Sequence, residues 1–242
     1  MLISIWGANM KFIVDRDVFN KLDNVCFGVV VAKGIDNSKD NIEINKLLKN
    51  IIELDERKFE GKKVKELEEI IYYRDAFKNL DINPNKFMAS NEAMLTRIAK
   101  KKGLPNINPI VNLGNAISLK YLVPLGAHDI DTVGGDIYVK FSKKGDSFIP
   151  FGSEEKEYLE DDELIYFAGD RVRTRRWIWR QSEHGKIVSE SKNIFFPIDG
   201  FTDKNYDEVI SARDELAKLL EEKLNCEVKV GFIDKNNSEF EI

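Results

Sequence analysis

The chain has 242 residues, of which 43% are hydrophobic and 33% charged, and its formal net charge is −5. This length is enough to bury a core, and the hydrophobic content excludes a disordered chain. The two cysteines, Cys26 and Cys226, have no second cysteine or histidine at ligand spacing, so the sequence predicts no metal site and no cofactor.

The sequence also argues against membrane insertion and export. The longest wholly apolar run, residues 25–32, is far shorter than the roughly 20 residues that a membrane-spanning helix needs. The start of the chain lacks the basic segment followed by a sustained apolar one that is typical of a secretory signal. We therefore expect a cytoplasmic protein without a membrane partner.

The first half of the chain is predicted to be a β-rich segment followed by helices. Short apolar runs predict the strands, and apolar residues three and four positions apart predict the helices. Asn108 followed by Pro109 is typical of a helix start. The predicted strands are residues 2–6, 11–14 and 25–32, and the predicted helices are residues 41–54, 64–77, 90–102 and 109–122.

The second half is predicted to be β-rich, with strands over residues 136–141, 147–151, 163–168, 193–197 and 227–233 and a helix over 206–225. Between them, residues 153–163 hold seven acidic side chains and are predicted to form an exposed loop or edge that limits indiscriminate binding by a basic face. No internal repeat or low-complexity linker is present. We therefore predict one α+β domain over residues 1–242, built of layered β-sheets with flanking helices.

Residues 171–187, RVRTRRWIWRQSEHGKI, reverse the local charge of this acidic chain with five arginines and two tryptophans. In a strand, alternate side chains share a face. That face would carry Arg171, Arg173, Arg175, Trp177 and Trp179. Guanidinium groups beside indole rings suit phosphates and unstacked bases, which predicts a face that binds RNA. The alternative is that the tryptophans pack in the core and arginine stems cover them.

Residues 106–131 match a family pattern, xVDxxNxxxLxxGxPxxAxD, in which a polar helix leads into a Pro-x-x-Ala-x-Asp turn. The matching residues are Asn115, Leu119, Pro124, Ala127 and Asp129. In this pattern the chain resembles the B3/B4 domain of the bacterial phenylalanyl-tRNA synthetase β chain, and still more its free-standing relatives. The resemblance continues through residues 163–168 and 182–199. It covers about residues 88–200 and implies a B3/B4-type fold with an N-terminal β/α extension.

The resemblance also implies a function. The family's site hydrolyses the ester that joins a wrong amino acid to the tRNA 3′ end, a reaction that needs a positioned water and donors for the oxyanion rather than a protein nucleophile. We therefore expect a trans-acting editing hydrolase whose partner is tRNA or aminoacyl-tRNA, with a synthetase as a further candidate partner. The chain has no room for an aminoacylation core. The alternative is a non-catalytic module that binds RNA or an amino acid and retained only the fold.

Three positions depart from the synthetase pattern. Gly126 stands where the family's turn has a pocket histidine, and His128 stands where an aromatic residue is usual. Asn112 replaces a usual aspartate. The loss of the turn histidine favours the binding-module alternative.

The resemblance assigns roles to residues on the helix and turn at 112–131 and on the segment at 175–187, with the pocket between them. Glu183 matches the glutamate that inspects the tyrosine hydroxyl in the synthetase editing pocket. The predicted catalytic residues are Glu183, His184 and His128, the predicted substrate-binding residues are Asn112, Asn115, Ser118, Gly126 and Asp129, and the predicted RNA-binding residues are Arg175, Arg176, Arg180, Trp177 and Trp179.

Most of these residues also have a structural alternative. Glu183 could instead pair with a nearby arginine, and a lone histidine is often a satisfied structural residue. Asn115 and Ser118 could serve only to fix the helix to the turn. Asp129 could cap the turn.

Overall fold

The computed structural model describes residues 10–242, so the predicted strand at residues 2–6 lies outside the described part. The helices are α1 (Arg16–Lys21), α2 (Ile42–Lys58), α3 (Glu68–Asn79), α4 (Ser90–Ala99), α5 (Pro109–Tyr121) and α6 (Tyr206–Leu224), with a 3-10 turn at Val64–Glu66. The strands are β1 (Lys11–Val14), β2 (Val25–Lys33), β3 (His128–Asp129), β4 (Ile137–Phe141), β5 (Ser147–Phe148), β6 (Glu157–Tyr158), β7 (Leu164–Ala168), β8 (Arg171–Arg175), β9 (Arg180–Gln181), β10 (Ile194–Phe201), β11 (Glu227–Ile233) and β12 (Glu239–Glu241).

Two sheets form the centre of the fold. The larger has the strand order β12-β1-β4-β7-β8-β9, and the smaller has the order β11-β2-β10-β3. The β1–β4 pair is parallel, whereas the other pairings within the two sheets are antiparallel. The predicted α+β class with layered sheets and flanking helices is confirmed.

Strand β2 explains how the layers stack. Val25, Phe27, Val29 and Val31 belong to a core that the two sheets share. The alternate residues of the same strand, including Val30, pack in a second core against α5 and α6. Because both faces of β2 are buried, its sequence is a continuous apolar run rather than an alternating one. The layers are therefore the larger sheet, the smaller sheet and a helical layer.

Helix α5 begins and ends as its sequence predicts, and it leads into the turn that carries the family pattern. The Asn108 side chain accepts a hydrogen bond from the Val111 amide at 3.0 Å, and Pro109 occupies the first turn. The helix closes at Leu122, whose φ of 56° is left-handed. The chain then runs through Pro124 into β3, which pairs with β10.

Strand β8 contains a β-bulge at Arg173. Tyr166 of β7 pairs with Thr174, and the next residue of β7, Phe167, pairs with Val172. Arg173 therefore has no residue opposite it on β7. A bulge of this kind inserts one extra residue and re-aims the side chains around it.

The bulge overturns the predicted sharing of one face by the arginines. Arg171 pairs with Ala168, which lies on the core face of the larger sheet. Arg175 points to the opposite face, where its guanidinium lies 5.6 Å from the centre of the Phe148 ring. The predicted alternation therefore fails within the strand, because an extra residue reverses the faces that follow it.

The strand also ends earlier than the predicted alternation requires. Arg176 and Trp177 have positive φ angles of 47° and 60°, which no extended strand permits. β8 stops at Arg175, and the chain turns back into β9. The prediction that guanidinium groups and indole rings share one face of a strand is therefore wrong.

Other differences concern short elements. α1 and β12 were not predicted, since a six-residue helix and a three-residue strand are too short for a clear period. Helix α3 begins at Glu68 rather than at Val64, which lies in the 3-10 turn. Helix α4 ends at Ala99, three residues before the predicted end.

Candidate functional site

Two adjoining cavities meet at the turn between α5 and β3. An inner cavity of about 80 Å³ is lined by His128, Tyr166, Trp177 and Asp199 among others. An outer cavity of about 340 Å³ is lined by Asn115, Phe151 and Lys186 among others. Leu125, Gly126 and Gln181 line both cavities.

Asp199 is a carboxyl group in the middle of the apolar strand β10, and it is almost fully buried. Its Oδ1 accepts hydrogen bonds from the Tyr166 hydroxyl at 2.7 Å and from the Trp177 Nε1 at 2.6 Å. Burial raises the pKa of Asp199 to about 7, against the lowering effect of the two hydrogen bonds. The carboxyl group therefore changes its charge near neutral pH.

His128 faces the same inner cavity and is also buried. Its ring stacks on the Tyr166 ring with the centres 5.6 Å apart. Burial, aided by the charge of Arg173, lowers the pKa of His128 to about 3. Its Nδ1 has no hydrogen-bond partner among residues 10–242. The imidazole is therefore neutral at working pH and has hydrogen-bonding capacity to spare.

Gly126 and His128 are neighbours in space. A Cβ atom at Gly126 would lie 3.1 Å from the Nε2 of His128 and 3.2 Å from the Cγ of Pro197. The imidazole of His128 thus occupies the space beside the position at which the family pattern places its histidine. The structure brings an imidazole to this turn although residue 126 is a glycine.

Gln181 joins the two cavities from β9. Its Nε2 donates a hydrogen bond to the Ala127 carbonyl at 2.8 Å, which ties β9 to the turn. Phe151 is 59% exposed at the outer cavity and offers a flat aromatic surface there. Asn115 faces the same cavity from α5.

A third pocket, here called the arginine pocket, lies next to the outer cavity and has a volume of about 590 Å³. Arg171, Arg173, His184 and Lys186 contribute to its lining. Lys186 also lines the outer cavity, so the two spaces are neighbours at this side chain.

Two of the three predicted catalytic residues lie in the arginine pocket rather than beside His128. Glu183 accepts a hydrogen bond from the Gly152 amide at 2.9 Å and forms an ion pair with Lys186. The hydrogen bond from Lys186, then that from Gly152, lowers the pKa of Glu183. Burial and the charges of the neighbouring arginines lower the pKa of His184. Glu183 and His184 therefore line a different pocket from the one that His128 lines.

Some of the predicted substrate-binding residues line the outer cavity, and others form hydrogen bonds within the fold. Gly126 and Asn115 line the outer cavity. Asn112 is buried and hydrogen-bonds to Asn45 at 2.8 Å and to the Ile107 amide at 3.0 Å. The Ser118 hydroxyl donates to the Val123 carbonyl at 2.6 Å, which favours the structural alternative for this residue.

Asp129 is buried at the arginine pocket. Its Oδ1 accepts a hydrogen bond from the Asp131 amide at 2.9 Å, and its Oδ2 accepts one from the Ser191 hydroxyl. These contacts match the turn-capping alternative.

The predicted RNA-binding arginines are largely engaged within the chain. Arg175 donates to Glu163 through Nε at 2.8 Å and through Nη2 at 2.9 Å, and it also pairs with Glu157. Arg176 lies 3.9 Å from the centre of the Phe87 ring and 3.5 Å from the Glu163 carboxylate. Arg180 remains exposed. Acidic residues of the 153–163 segment thus neutralise Arg175 and Arg176.

The two tryptophans pack as the structural alternative predicts. Trp177 is fully buried in the core that the two sheets share. Trp179 is partly buried, with its ring edge-on to that of Phe87 at 4.7 Å. Both rings are therefore engaged in packing.

Sequence reasoning missed Asp199, Tyr166, Gln181 and Lys186. A signal existed for Asp199, because it interrupts the apolar run IFFPIDGF, and a carboxyl group there has to be buried. Tyr166 and Gln181 have no comparable signal, since their importance comes from strands that meet only in the fold.

The family model described as "B3/4 domain" matches residues 72–225. The chain belongs to the B3/4 domain family. The family match includes the 88–200 region that carries the sequence resemblance, and it extends through α6.

Curated relatives and a solved structure agree with this assignment. The chain is 27% identical over 120 residues to the phenylalanine-tRNA ligase beta subunit of Fusobacterium nucleatum, which is 50% of this chain and 15% of that protein. It is 39% identical over 63 residues to the subunit of Aquifex aeolicus, or 26% of this chain and 8% of that protein. An N-terminal fragment of the phenylalanyl-tRNA synthetase beta subunit from Pyrococcus horikoshii has a TM-score of 0.52 at 13% identity, covering 94% of this chain and 52% of that chain. This last likeness supports the fold alone.

The chain thus spans 15% or less of these curated relatives. Within residues 10–242, no helix is both long and apolar enough to span a membrane. No cluster of three or more potential metal ligands occurs in that same part of the chain.

Proposed function

We propose that this B3/4 domain protein binds aminoacyl-tRNA, or a related aminoacyl ester, and hydrolyses the ester of mischarged tRNA in trans. One observation carries the proposal. A carboxyl group with a pKa of about 7, Asp199, lines a cavity together with neutral His128, and this cavity adjoins the outer cavity at Gly126 and Gln181. The membership of the family and the names of the curated relatives support the same substrate class.

The proposed chemistry uses Asp199 as a general base. Ester hydrolysis requires that a water molecule lose a proton as its oxygen bonds to the acyl carbon. Ionised Asp199 takes that proton from the water. As the ester bond breaks, the protonated Asp199 passes the proton to the leaving 3′ oxygen of the RNA. A base with a pKa near the working pH is well matched to this task. His128, neutral and with an unpartnered Nδ1, would orient the water.

The outer cavity would hold the rest of the substrate. Its volume of about 340 Å³ is within the range that accepts small ligands. Exposed Phe151 would stack on the terminal base of the RNA, because an aromatic ring stacks on any base. The Asn115 amide would donate a hydrogen bond to the ester carbonyl as negative charge develops on it.

A second candidate function is a binding module without catalysis. Gly126 has no side chain where the family pattern has a histidine, and the arginines best placed in sequence for RNA are held by Glu157 and Glu163. In that case the cavities would bind an amino acid or an RNA end without hydrolysis.

We also propose that residues 1–242 act as a single domain. Strand β1 lies between β4 and β12, so the start and the end of the described chain complete the same sheet. A synthetase that supplies charged tRNA remains a candidate partner.

The test is to incubate the protein with correctly and incorrectly charged tRNAs and to follow loss of the ester. Asp199→Asn keeps the oxygen that accepts from Tyr166 and Trp177 but removes the base, so we expect the rate to fall at least about a hundredfold. Asp214→Asn, which removes a surface carboxylate paired with Arg213, is the matched control and should keep the full rate. Glu183→Ala tests the role that the resemblance assigns to Glu183.

The outcomes separate the two candidate functions. No acceleration over buffer on any charged tRNA would exclude the hydrolase, and salt-dependent binding without turnover would then favour the module. If Asp199→Asn hydrolyses as fast as the unmodified chain, Asp199 is not the base.

A further inference from the structure

The arginine pocket contains a buried guanidinium group that has no carboxylate partner. Arg173 is only 3% exposed. Its Nη1 donates to the Thr132 hydroxyl at 3.2 Å and its Nη2 to the Thr132 carbonyl at 3.1 Å, while its Nε has no partner among residues 10–242. Within the same residues, no carboxylate oxygen lies within ion-pair distance of Arg173. Burying an unpaired charge is costly, and a guanidinium group does not lose its proton in compensation.

The local backbone is shaped around this side chain. The bulge in β8 sets Arg173 apart from the regular pairing with β7. Gly185 has a φ of 77°, and a Cβ atom there would lie 2.2 Å from the Nη1 of Arg173. Only a glycine lets the chain pass so close to the guanidinium group. Two separate segments therefore accommodate this one charge.

Further positive groups surround the pocket. Arg171 lies at its edge, with Nη1 3.2 Å from the Nδ1 of His184, and Lys186 lines it next to the outer cavity. Arg171, Arg173 and Lys186 thus face one volume of about 590 Å³.

Three carboxylates also face the pocket, but each already has a partner. Asp170 pairs with Arg171 at 3.1 Å, and Glu183 pairs with Lys186. Asp129 accepts from the Asp131 amide and the Ser191 hydroxyl. Each carboxylate therefore has an ion-pair or hydrogen-bond partner, whereas within residues 10–242 Arg173 has no ion pair and feels the charges of Asp129 and Asp170 only from longer range.

We propose that the arginine pocket binds a phosphate group of an RNA chain. A phosphate diester presents acceptor oxygens that match the fork of a guanidinium group. Arg171 and Lys186 each pair with one carboxylate and retain further N–H donors for the phosphate. The RNA assignment rests on the proposed function, because the outer cavity would hold the RNA end and shares Lys186 with this pocket. The phosphate would then be one near the esterified nucleotide.

The test measures binding of a short uncharged single-stranded RNA ending in CCA, with inorganic phosphate and adenosine 5′-monophosphate as separate probes. We expect Arg173→Met to weaken RNA binding about tenfold or more, and to lower the slope of log affinity against log salt by about 1. Arg57→Met removes the same charge from the exposed face of α2 and should leave binding unchanged. Arg173→Lys keeps the charge but not the forked guanidinium group, so its RNA affinity should lie between those of the unmodified chain and Arg173→Met.

Each outcome decides the proposal. RNA binding equal to that of the unmodified chain in both Arg173 variants, or no binding of any probe by the unmodified chain, would overturn it. If inorganic phosphate or the mononucleotide binds as tightly as the RNA and depends on Arg173, the assignment to RNA is overturned in favour of a small phosphate compound.

Phosphate binding in the arginine pocket and ester hydrolysis can be tested independently. Uncharged RNA needs no hydrolysis, so Arg173-dependent binding without ester loss would support the pocket and exclude the hydrolase. Conversely, hydrolysis of charged tRNA that is indifferent to Arg173→Met would support the hydrolase and overturn the pocket.

Discussion

Asp199 in the inner cavity and Arg173 in the arginine pocket are both buried ionisable groups that the fold supplies with neutral partners. Asp199 receives hydrogen bonds from Tyr166 and Trp177, and Arg173 donates to Thr132. The difference is that a carboxyl group can become neutral by taking a proton, whereas a guanidinium group stays charged. The first site therefore responds to pH, and the second requires an anion from outside.

The largest expected effect is on Asp199. Its folded-state pKa of about 7 lies above its ordinary value of 3.8, so the folded state binds the proton more tightly and the free energy of unfolding falls as pH rises between these values. The fall amounts to up to roughly 4 kcal/mol. Asp199→Asn removes it, so the variant should gain stability relative to the unmodified chain as pH rises from about 4 to about 7. Urea unfolding measures this difference, and a constant difference across the range would contradict it.

His128 hides this dependence in the unmodified chain. Its folded-state pKa of about 3 lies below its ordinary value of 6.5, so its stabilising contribution is present above pH 6.5 and is lost as pH falls. The slopes from His128 and Asp199 are opposite in sign and nearly cancel over much of the acid range. We expect His128→Asn to remove the His128 slope, so its stability relative to the unmodified chain should fall as pH rises from about 3 to about 6.5.

The second prediction compares two arginines of one strand. Arg175→Met leaves Glu163 without its two-pronged partner in a partly buried setting and should lower the free energy of unfolding by about 2 kcal/mol. Arg173→Met removes a buried charge that forms no ion pair within residues 10–242 and should change stability by less than about 1 kcal/mol. Thermal unfolding of the two variants side by side tests this. Equal losses would mean that Arg173 is as structural as Arg175.

The third prediction concerns the close approach of Gly185 to Arg173. Gly185→Ala adds a methyl group at a left-handed backbone position and against the guanidinium group, so it should cost about 2 kcal/mol. In the Arg173→Met background the flexible methionine yields, and the cost should fall to about 1 kcal/mol. A double-mutant cycle gives the coupling. Equal costs in both backgrounds would mean that the guanidinium group does not fill this space.

The smallest expected effect links the two sites. The charge of Arg173 helps to lower the pKa of His128, so Arg173→Met should raise that pKa. Titration of the His128 ring signals by NMR measures the shift, with Arg57→Met as the control. An unchanged pKa would mean that burial alone keeps His128 neutral.

The sequence predicts many of the helices and strands because their local sequence signals are strong. The apolar run of β2, the cap of Asn108 and the amphipathic pattern of α6 are each local signals, and the structure confirms all three. The family pattern at residues 115–129 likewise predicts the turn from which the cavities are built.

The assembly of the site was not predictable in the same way. The bulge at Arg173 depends on the pairing of β8 with β7, and a single extra residue reverses the faces that follow it. That Glu183 and His128 line different pockets likewise depends on how β9 and β3 are placed. Of these site residues, only Asp199 could have been recognised from the sequence, because it is a carboxyl group within an apolar strand.

The position of β1 has a consequence for how the protein is made. Its neighbours in the sheet include β12, and the side chains of Lys11 and Glu239, which pair across these strands, are 228 residues apart in sequence. At a synthesis rate of about 5–20 residues per second, β1 leaves the ribosome tens of seconds before β12 is available. Throughout that interval one edge of β1 offers unpaired backbone groups to any other nascent strand. The larger sheet is therefore completed only when β12, the last strand to be made, pairs with β1, which is made early.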